Sequence, residues 1–528
     1  MNLARHLLLT LATGLLLGGC NDAPKVTKIS APATDMDAQT VVESKPLKPN
    51  LVIIYADDLG YGDISSYGAT GVNTPNIDAL AAKGLKLTDS HASAATCTPS
   101  RYSLLTGEHG FRSNAAILPG DAPLLINPDQ ATLPKLLKKA GYASAVIGKW
   151  HLGLGYGEVD WNQAVKPGPL EIGFDYSFLL PATGDRVPTV FLENHHVVNL
   201  DSADPLSVSY KENIGNLPTG LSHPEMLRVK ADPQHSNTIV NGVSRIGSMD
   251  GGESAYWVDE DFPDVFTAKA VDFIRQHKDQ PFFLFHSMHD IHVPRLPHKR
   301  FQGKSGMGPR GDAIIQLDWM TGQIVKELEA LGIADNTILI FTSDNGPVLD
   351  DGYHDMAVEM LGEHKPSGPF RGGKYSAYEA GTRVPAIVYW PGHVQPKESA
   401  ALTSQIDIYA SMAELLGLEL AEGEAIDSLP QVDAWLGNTD TGREFLVKES
   451  VGTVSLRQGG WKYIRPFLGE DLPAWLKNKD IEVGLQKSEQ LYNLTNDAAE
   501  QNNLAADNLD KVNQMKLKLE HIIASGYR

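Results

Sequence analysis

Asp57 and Asp58 follow the apolar run Leu51–Tyr55, and Asp344 and Asn345 follow a second apolar run ending at Phe341. Adjacent carboxylates repel each other and cost stability unless a cation stands between them. Carboxylate and amide oxygens form a hard donor set, suited to Ca²⁺ or Mg²⁺ and poorly to zinc. Taken separately, each pair also reads as local structure, with Asp58 as a helix cap and Asp344-Asn345-Gly346 as a turn. A third segment, Thr96-Cys97-Thr98-Pro99-Ser100-Arg101, places Pro99 in the first turn of a helix through Leu105, so Cys97 sits at that helix's N-terminus. Such a position favours an anion and an activated nucleophile. Three further segments carry cations and imidazoles: Gly148-Lys149-Trp150-His151, Met288-His289-Asp290-Ile291-His292-Val293-Pro294, and Phe370-Arg371-Gly372-Gly373-Lys374.

The surrounding chain predicts how these residues meet. Buried-strand runs at 51–55, 143–147, 281–286 and 337–341 alternate with helical patterns at 75–83, 133–140, 264–277 and 312–330. That alternation predicts an α/β fold, a large sheet sandwiched by helices, followed by a smaller C-terminal α+β part. Such sheets hold their ligands at the carboxyl ends of strands, which is where the segments above lie. The rhythm breaks between Ser177 and Phe262, a stretch with Gly184-Asp185-Arg186, Arg228, Arg245 and several histidines. It reads as wall and lid around a pocket mouth, or as an excursion that only packs. His195 and His196, inside it, have no motif around them and read as surface or loop residues.

The N-terminus is of a different kind. Arg5, the apolar run Leu7–Leu17 and Leu17-Gly18-Gly19-Cys20 describe an export signal, too short to span a bilayer comfortably. Leu-Gly-Gly-Cys resembles a bacterial lipobox, which implies cleavage after residue 19 and a lipid on Cys20. The expectation is a signal peptide (1–19), a tether (20–47), a catalytic domain (48–400) and a C-terminal subdomain (401–528), on a protein exported and lipid-anchored to a bacterial membrane. The only other cysteine, Cys97, is then left without a partner and needs another explanation.

Cys-x-Pro-x-Arg resembles the signature of type I, formylglycine-dependent sulfatases of the alkaline phosphatase superfamily, and the Lys149, His292 and Lys374 segments resemble that family's other motifs in family order. So do Tyr378-Glu379-Ala380-Gly381-Thr382-Arg383-Val384-Pro385, Gly460-Trp461-Lys462-Tyr463-Ile464 and Glu489-Gln490-Leu491-Tyr492-Asn493-Leu494. One departure is Ala380, where the family usually has Gly. The resemblance covers nearly everything after Pro49. It implies an alkaline-phosphatase-like fold and a sulfuric ester hydrolase. Cys97 would be oxidised to formylglycine (3-oxoalanine) by a formylglycine-generating enzyme. Asp57, Asp58, Asp344 and Asn345, with the modified Cys97, would hold one Ca²⁺. Arg101 would steady the hydrated aldehyde, and Lys149 and Lys374 would neutralise sulfate oxygens. His151 would accept a proton during sulfate release, and His292, with Lys374, would protonate the leaving oxygen. His289 is the alternative to His292, which the resemblance favours through Pro294 two residues on.

Charge limits the partners. With 45 Lys and Arg against 65 Asp and Glu, the net charge of −20 argues against a nucleic-acid binder. Long polyanions would be repelled except where Arg101, Lys149, Lys374 and Arg186 gather. The substrate expected on these grounds is a sulfated carbohydrate taken one chain end at a time. A phosphonate or phosphate ester hydrolase, and a non-enzymatic glycan-binding lipoprotein, are the competing readings.

Overall fold

Leu51, Ile53 and Tyr55 point to one side of strand β1 (Asn50–Ala56), Val52, Ile54 and Ala56 to the other, and all six are fully buried. A strand apolar on both faces must lie between two layers of helices. The computed structural model describes residues 48–477, 479 and 481–527; the expected signal peptide, tether and Cys20 lie outside the described residues. Along the chain follow α1 (Pro75–Lys83), β2 (Leu85–Leu87), α2 (Cys97–Thr106), α3 (Leu133–Lys139), β3 (Ala143–Lys149) and β4 (Tyr176–Leu180). Then come α4 (Phe262–His277), β5 (Phe282–Ser287), α5 (Gly308–Ala330), β6 (Thr337–Ser343), β7 (Ala386–Tyr389), β8 (Lys397–Ser399) and α6 (Ile408–Leu415).

The strands join in the order β8-β2-β7-β6-β1-β5-β3-β4, extended past β4 by a short hairpin of residues 192–193 and 196–197. The five strands from β6 to β4 are parallel, with Leu51 opposite Phe283 and Ile338, so their carboxyl ends share one edge. On one face Ile77 of α1, Phe266 of α4 and Ile314 of α5 pack against Val52 and Ile54. On the other, Tyr102 of α2, Leu137 of α3 and Met412 of α6 pack against Leu51 and Ile53. β3 and β5 run so close that a Cβ at Gly148 (φ +114°) would meet the Ser287 carbonyl oxygen at 1.8 Å, so only glycine fits there.

A second, four-stranded antiparallel sheet comprises β9 (Phe445–Ser450), β10 (Thr453–Gln458), β11 (Trp461–Ile464) and β12 (Gln490–Asn493). Helix α7 (Leu509–Ser525) covers it with Val512, Met515, Leu519 and Ile522, spaced to lie along one helical face. The sulfatase-like motifs of this region thus fall in the α+β part expected. Glu379, buried in the loop before β7, ties this sheet to the large one. Its carboxylate meets Lys448 Nζ at 2.7 Å, Arg457 Nη1 at 3.1 Å and Lys462 Nζ at 3.3 Å, all from the small sheet, with His91 Nε2 at 3.4 Å. Burial opposes its charge, but Lys448 and Lys462 hold the carboxyl well below the usual range.

Among the described residues no helix is long and apolar enough to cross a membrane. The segment between β4 and α4 is held by short antiparallel pairs, 239–240 with 243–244 and 207–209 with 248–250, joined by 3-10 turns and loops. Arg245 is its core, fully buried, donating to the Gly184, Val240 and Val243 carbonyls and to Asp259.

Glu379→Gln removes one partner from several buried cations at once. It is expected to destabilise the protein by about 3–5 kcal/mol, read as a lowered denaturant midpoint. A midpoint within error of the wild type would show that the two sheets are held by apolar packing alone.

Candidate active site

The parallel strands end in chemistry. Asp57 and Asp58 leave β1, Lys149 closes β3 with His151 just beyond, His292 follows β5, and Asp344 and Asn345 follow β6. Main-chain bonds stitch these ends together: the Asp57 N–H donates to Asp290 O (2.9 Å), the Ile291 N–H to Asp57 O (2.8 Å), and the Asp344 N–H to Ala56 O (3.1 Å). Cys97 opens α2, whose Arg101 reaches across one turn later. Asp58 (φ +60°), His151 (φ +52°) and Tyr375 (φ +73°) hold left-handed backbone that non-glycine residues rarely adopt, as residues at functional sites often do.

The side chains form one continuous network. Arg101 Nη2 binds Asp344 Oδ2 at 2.8 Å and stands 3.7 Å from Asp57 Oδ2, while its Nη1 binds the Ser287 hydroxyl. Lys149 Nζ lies 2.5 Å from Asp57 Oδ2. Lys374 Nζ bridges Asp58 Oδ2 (2.8 Å) and Asp351 Oδ2 (2.9 Å). Asn345 Nδ2 donates to Asp58 Oδ1 (2.8 Å), and the Asp58 N–H donates to Asp344 Oδ1 (3.2 Å). His292 Nε2 stands 3.8 Å from Asp58 Oδ2, and Cys97 Sγ stands 3.3 Å from His151 Nδ1. All ten residues singled out for this site from the sequence are therefore brought together and buried.

The network is short of a cation. Oδ1 of Asp57 and Oδ1 of Asn345 accept no hydrogen bond although both are buried, and Oδ2 of Asp57 has only the Lys149 and Arg101 cations beside it. Burial and the neighbouring Asp344 carboxylate push the Asp57 carboxyl well above its ordinary value. Orphaned hard oxygens beside repelling carboxylates fit a Ca²⁺-type ion. The cluster that joins Asp57, Asp58 and His292 holds one imidazole, unlike the nitrogen- and sulfur-rich sets typical of structural zinc.

Two imidazoles have their tautomers fixed by main-chain carbonyls. Burial, with Arg186 and Lys149 nearby, drives the His151 pKa well below its usual value, so the ring is neutral. Its Nε2 lies 2.9 Å from Leu118 O and must carry the proton, leaving the Nδ1 lone pair facing Cys97. His292 is likewise kept neutral by burial, Lys374 and Lys149; its Nδ1 donates to Val293 O at 2.7 Å and Nε2 is free to accept. Lys374 has the opposite bias: burial works against its charge, but Asp351 and Asp58 hold it firmly protonated. Burial also raises the Cys97 thiol despite Lys149 and Lys374, so the unmodified side chain is a neutral thiol and not the activated nucleophile that its helix N-terminus suggests.

Cys97, His151, His292 and Lys374 open onto a cavity of about 500 Å³. The irregular stretch supplies part of its lining through Asp185, Arg186, Tyr210, Gln234 and His235, in keeping with the wall reading. His235 donates to Asp232 (2.7 Å) and stands 3.4 Å from Asp185; burial opposes its charge, yet these two carboxylates push its pKa up to about 9. Other candidates go elsewhere. His289 accepts the Gly184 N–H (3.1 Å) and does not line the cavity, Arg245 is structural, Arg228 pairs with Glu260 at the surface, and His195 and His196 lie outside the lining. Ala380, the departure from the family pattern, is buried on ordinary backbone and is accommodated. Sequence reasoning missed Asp351, Tyr375, Trp475 and Lys479; none follows a strand, and Asp350-Asp351-Gly352 reads as a turn.

Residues 49–418 match the sulfatase family, and the chain belongs to it, a family of sulfate ester hydrolases. It is 49% identical over 519 residues to an N-acetylgalactosamine-6-O-sulfatase of Bacteroides thetaiotaomicron, covering 98% of both chains. It is 31% identical to human arylsulfatase A, covering 78% of this chain and 74% of that one. A solved Bacteroides thetaiotaomicron structure termed 6S-sulf, from work on the metabolism of multiple glycosaminoglycans, superposes with a TM-score of 0.88 at 50% identity, covering 90% of this chain and 99% of that one.

Ca²⁺ added to metal-free protein is expected to raise Tm, because it binds only the folded site. In Asp57→Asn that shift should vanish, since a carboxylate ligand is lost. A wild-type Tm indifferent to Ca²⁺ would contradict the ion site.

Proposed function

We propose that this protein is a formylglycine- and Ca²⁺-dependent sulfatase that removes the 6-O-sulfate from an N-acetylgalactosamine unit at the end of a short sulfated oligosaccharide. The observation that carries the reading is the cavity, which gathers Cys97, His151, His292 and Lys374 on a site with unsatisfied hard oxygens. Its volume is that of a small-molecule site rather than a polymer groove. The sugar is suggested by the relative that matches almost the whole chain.

Asp57, Asp58, Asp344 and Asn345, with the modified residue 97, would hold a Ca²⁺ ion, which would supply Lewis acidity toward a sulfate oxygen. Formylglycine at position 97 supplies, as its hydrate, the hydroxyl that attacks sulfur. Arg101 orients that residue from one turn along α2 while paired with Asp344. Lys149 and Lys374 offset the negative charge on the sulfate oxygens. Lys374, held protonated, donates to the leaving alcohol oxygen, and His292 shares that proton through its free Nε2. His151 Nδ1, its lone pair already aimed at the side chain of residue 97, would accept the proton of the second geminal hydroxyl, whose collapse back to the aldehyde breaks the C–O bond to sulfate and releases it. The reading extends to export, lipid attachment at Cys20 and oxidation of Cys97 by a formylglycine-generating enzyme.

Protein made alongside that maturation enzyme should yield a Cys97 peptide lighter than the thiol form by the exchange of sulfur for oxygen together with the loss of two hydrogens. Cys97→Ala should fold normally and lose all turnover of 6-O-sulfo-N-acetylgalactosamine. Retained turnover would overturn the mechanism. Matured wild type that cleaves aryl sulfates but no sulfated sugar would overturn the substrate.

A further inference from the structure

Of the aromatic residues lining the cavity, Trp475 comes from a loop of the small sheet, whereas Tyr210 and Tyr375 come from elsewhere. Between β11 and β12 the chain leaves that sheet as residues 465–489 and runs to the cavity, where it places Trp475 and Lys479. Its later part is pinned to the loop that carries Lys374. The Ala377 N–H donates to Val483 O (2.8 Å), the Ser376 hydroxyl to Glu482 O (2.7 Å), and Arg371 pairs with Glu482 at 2.6 Å. Lys479 Nζ closes on Asp351 Oδ1 at 2.5 Å, the carboxylate that also receives Lys374 and the Tyr375 hydroxyl.

Within this strap neighbouring apolar residues divide the work. Leu476 is buried, 2% exposed, and does the packing. Trp475 stays half-buried in the cavity lining, its ring meeting Tyr375 at 5.0 Å and 68°. Among the described residues nothing accepts its indole N–H. A large aromatic surface left partly uncovered beside a sulfate-binding centre has a natural occupant. A pyranose presents polar hydroxyls at its edge and an apolar C–H face, and an indole covers such a face while Asp185, Arg186 and His235 offer polar partners elsewhere in the lining.

We propose that Trp475 is a specificity-determining residue, the platform for the sugar ring that bears the sulfate, and that the Lys479–Asp351 pair is the clasp that positions it. This rests on the sulfated-carbohydrate reading above. The clasp also links the platform to Lys374, so the strap registers the sugar against the sulfate-binding cation through one carboxylate.

Calorimetry on the full chain carrying Cys97→Ala, with 6-O-sulfo-N-acetylgalactosamine and separately inorganic sulfate, tests this. Adding Trp475→Ala should weaken sugar binding by roughly tenfold or more, as losing a buried aromatic anchor commonly does, with inorganic sulfate bound as before. Trp475→Phe should recover much of the loss. Lys479→Met should weaken the sugar less and Lys479→Arg restore it. In the matured enzyme, kcat/KM of Trp475→Ala should fall chiefly through KM. Sugar affinity unchanged in Trp475→Ala, with sulfate binding intact, would overturn the platform alone. Wild-type protein that binds sulfate but not the sulfated sugar would overturn the substrate reading and the platform together.

Discussion

Three carboxylates, those of Asp57, Asp58 and Asp344, are buried at the ends of two adjacent parallel strands, and three other elements each bring a cation to them. At separations of about 4 Å such charges repel by roughly 4 kcal/mol even at a generous effective dielectric. Each relevant cation comes from a different element: Arg101 from α2, Lys149 from the end of β3, Lys374 from the loop after β6. The helix, the strand and the loop are thereby fixed to the β1–β6 edge by charge as well as by packing. Those three cations balance the carboxylates without a surplus. A divalent ion on the unsatisfied oxygens would tip the centre positive, which is what an anionic ester requires, on a protein whose net charge is otherwise −20.

Neutrality of the two imidazoles follows from the same crowding. Burial above all, with Lys149 beside both, depresses His151 and His292, and each ring is oriented by a main-chain carbonyl rather than by a carboxylate. A carboxylate partner would raise the ring's proton affinity and fill a base's lone pair with a proton before it was needed. The carbonyls of Leu118 and Val293 set the tautomer without that cost. The group held charged is instead Lys374, flanked by the carboxylates of Asp58 and Asp351. Charged and neutral groups are thus separated by environment, an arrangement suited to dividing acid from base work.

Much of this was legible in the sequence because the fold is periodic and its chemistry sits at period breaks. The strand runs at 51–55 and 337–341 and the helix at 75–83 reappear as β1, β6 and α1, and the polar residues just beyond the strands converge as strand ends in a parallel sheet must. Burial of Cys97 was less legible: a helix N-terminus lowers a thiol's pKa only where solvent or cations support it, and here desolvation wins. Asp351, Trp475 and Lys479 left no signal. They lie in segments without apolar period, and their roles exist only because the strap at 465–489 returns across more than a hundred residues of chain to the Lys374 loop.

That contrast has a physical basis. Asp57, Asp58, Lys149, Asp344 and Asn345 sit at or just beyond the ends of strands whose register is set by the large sheet, where a slip of one residue would turn every side chain to the opposite face. The cavity-wall residues Asp185, His235, Trp475 and Lys479 are carried by loops, held by ion pairs and hydrogen bonds such as Lys479–Asp351, His235–Asp185 and Ser376–Glu482. Loops of this kind accept substitution without disturbing the core, so the reaction and the choice of substrate are free to vary separately. The bolt at Glu379 is what makes the division workable. It holds the small sheet rigidly against the large one, so that a strap anchored on β11 and β12 meets Lys374 at a defined distance rather than swinging over the cavity.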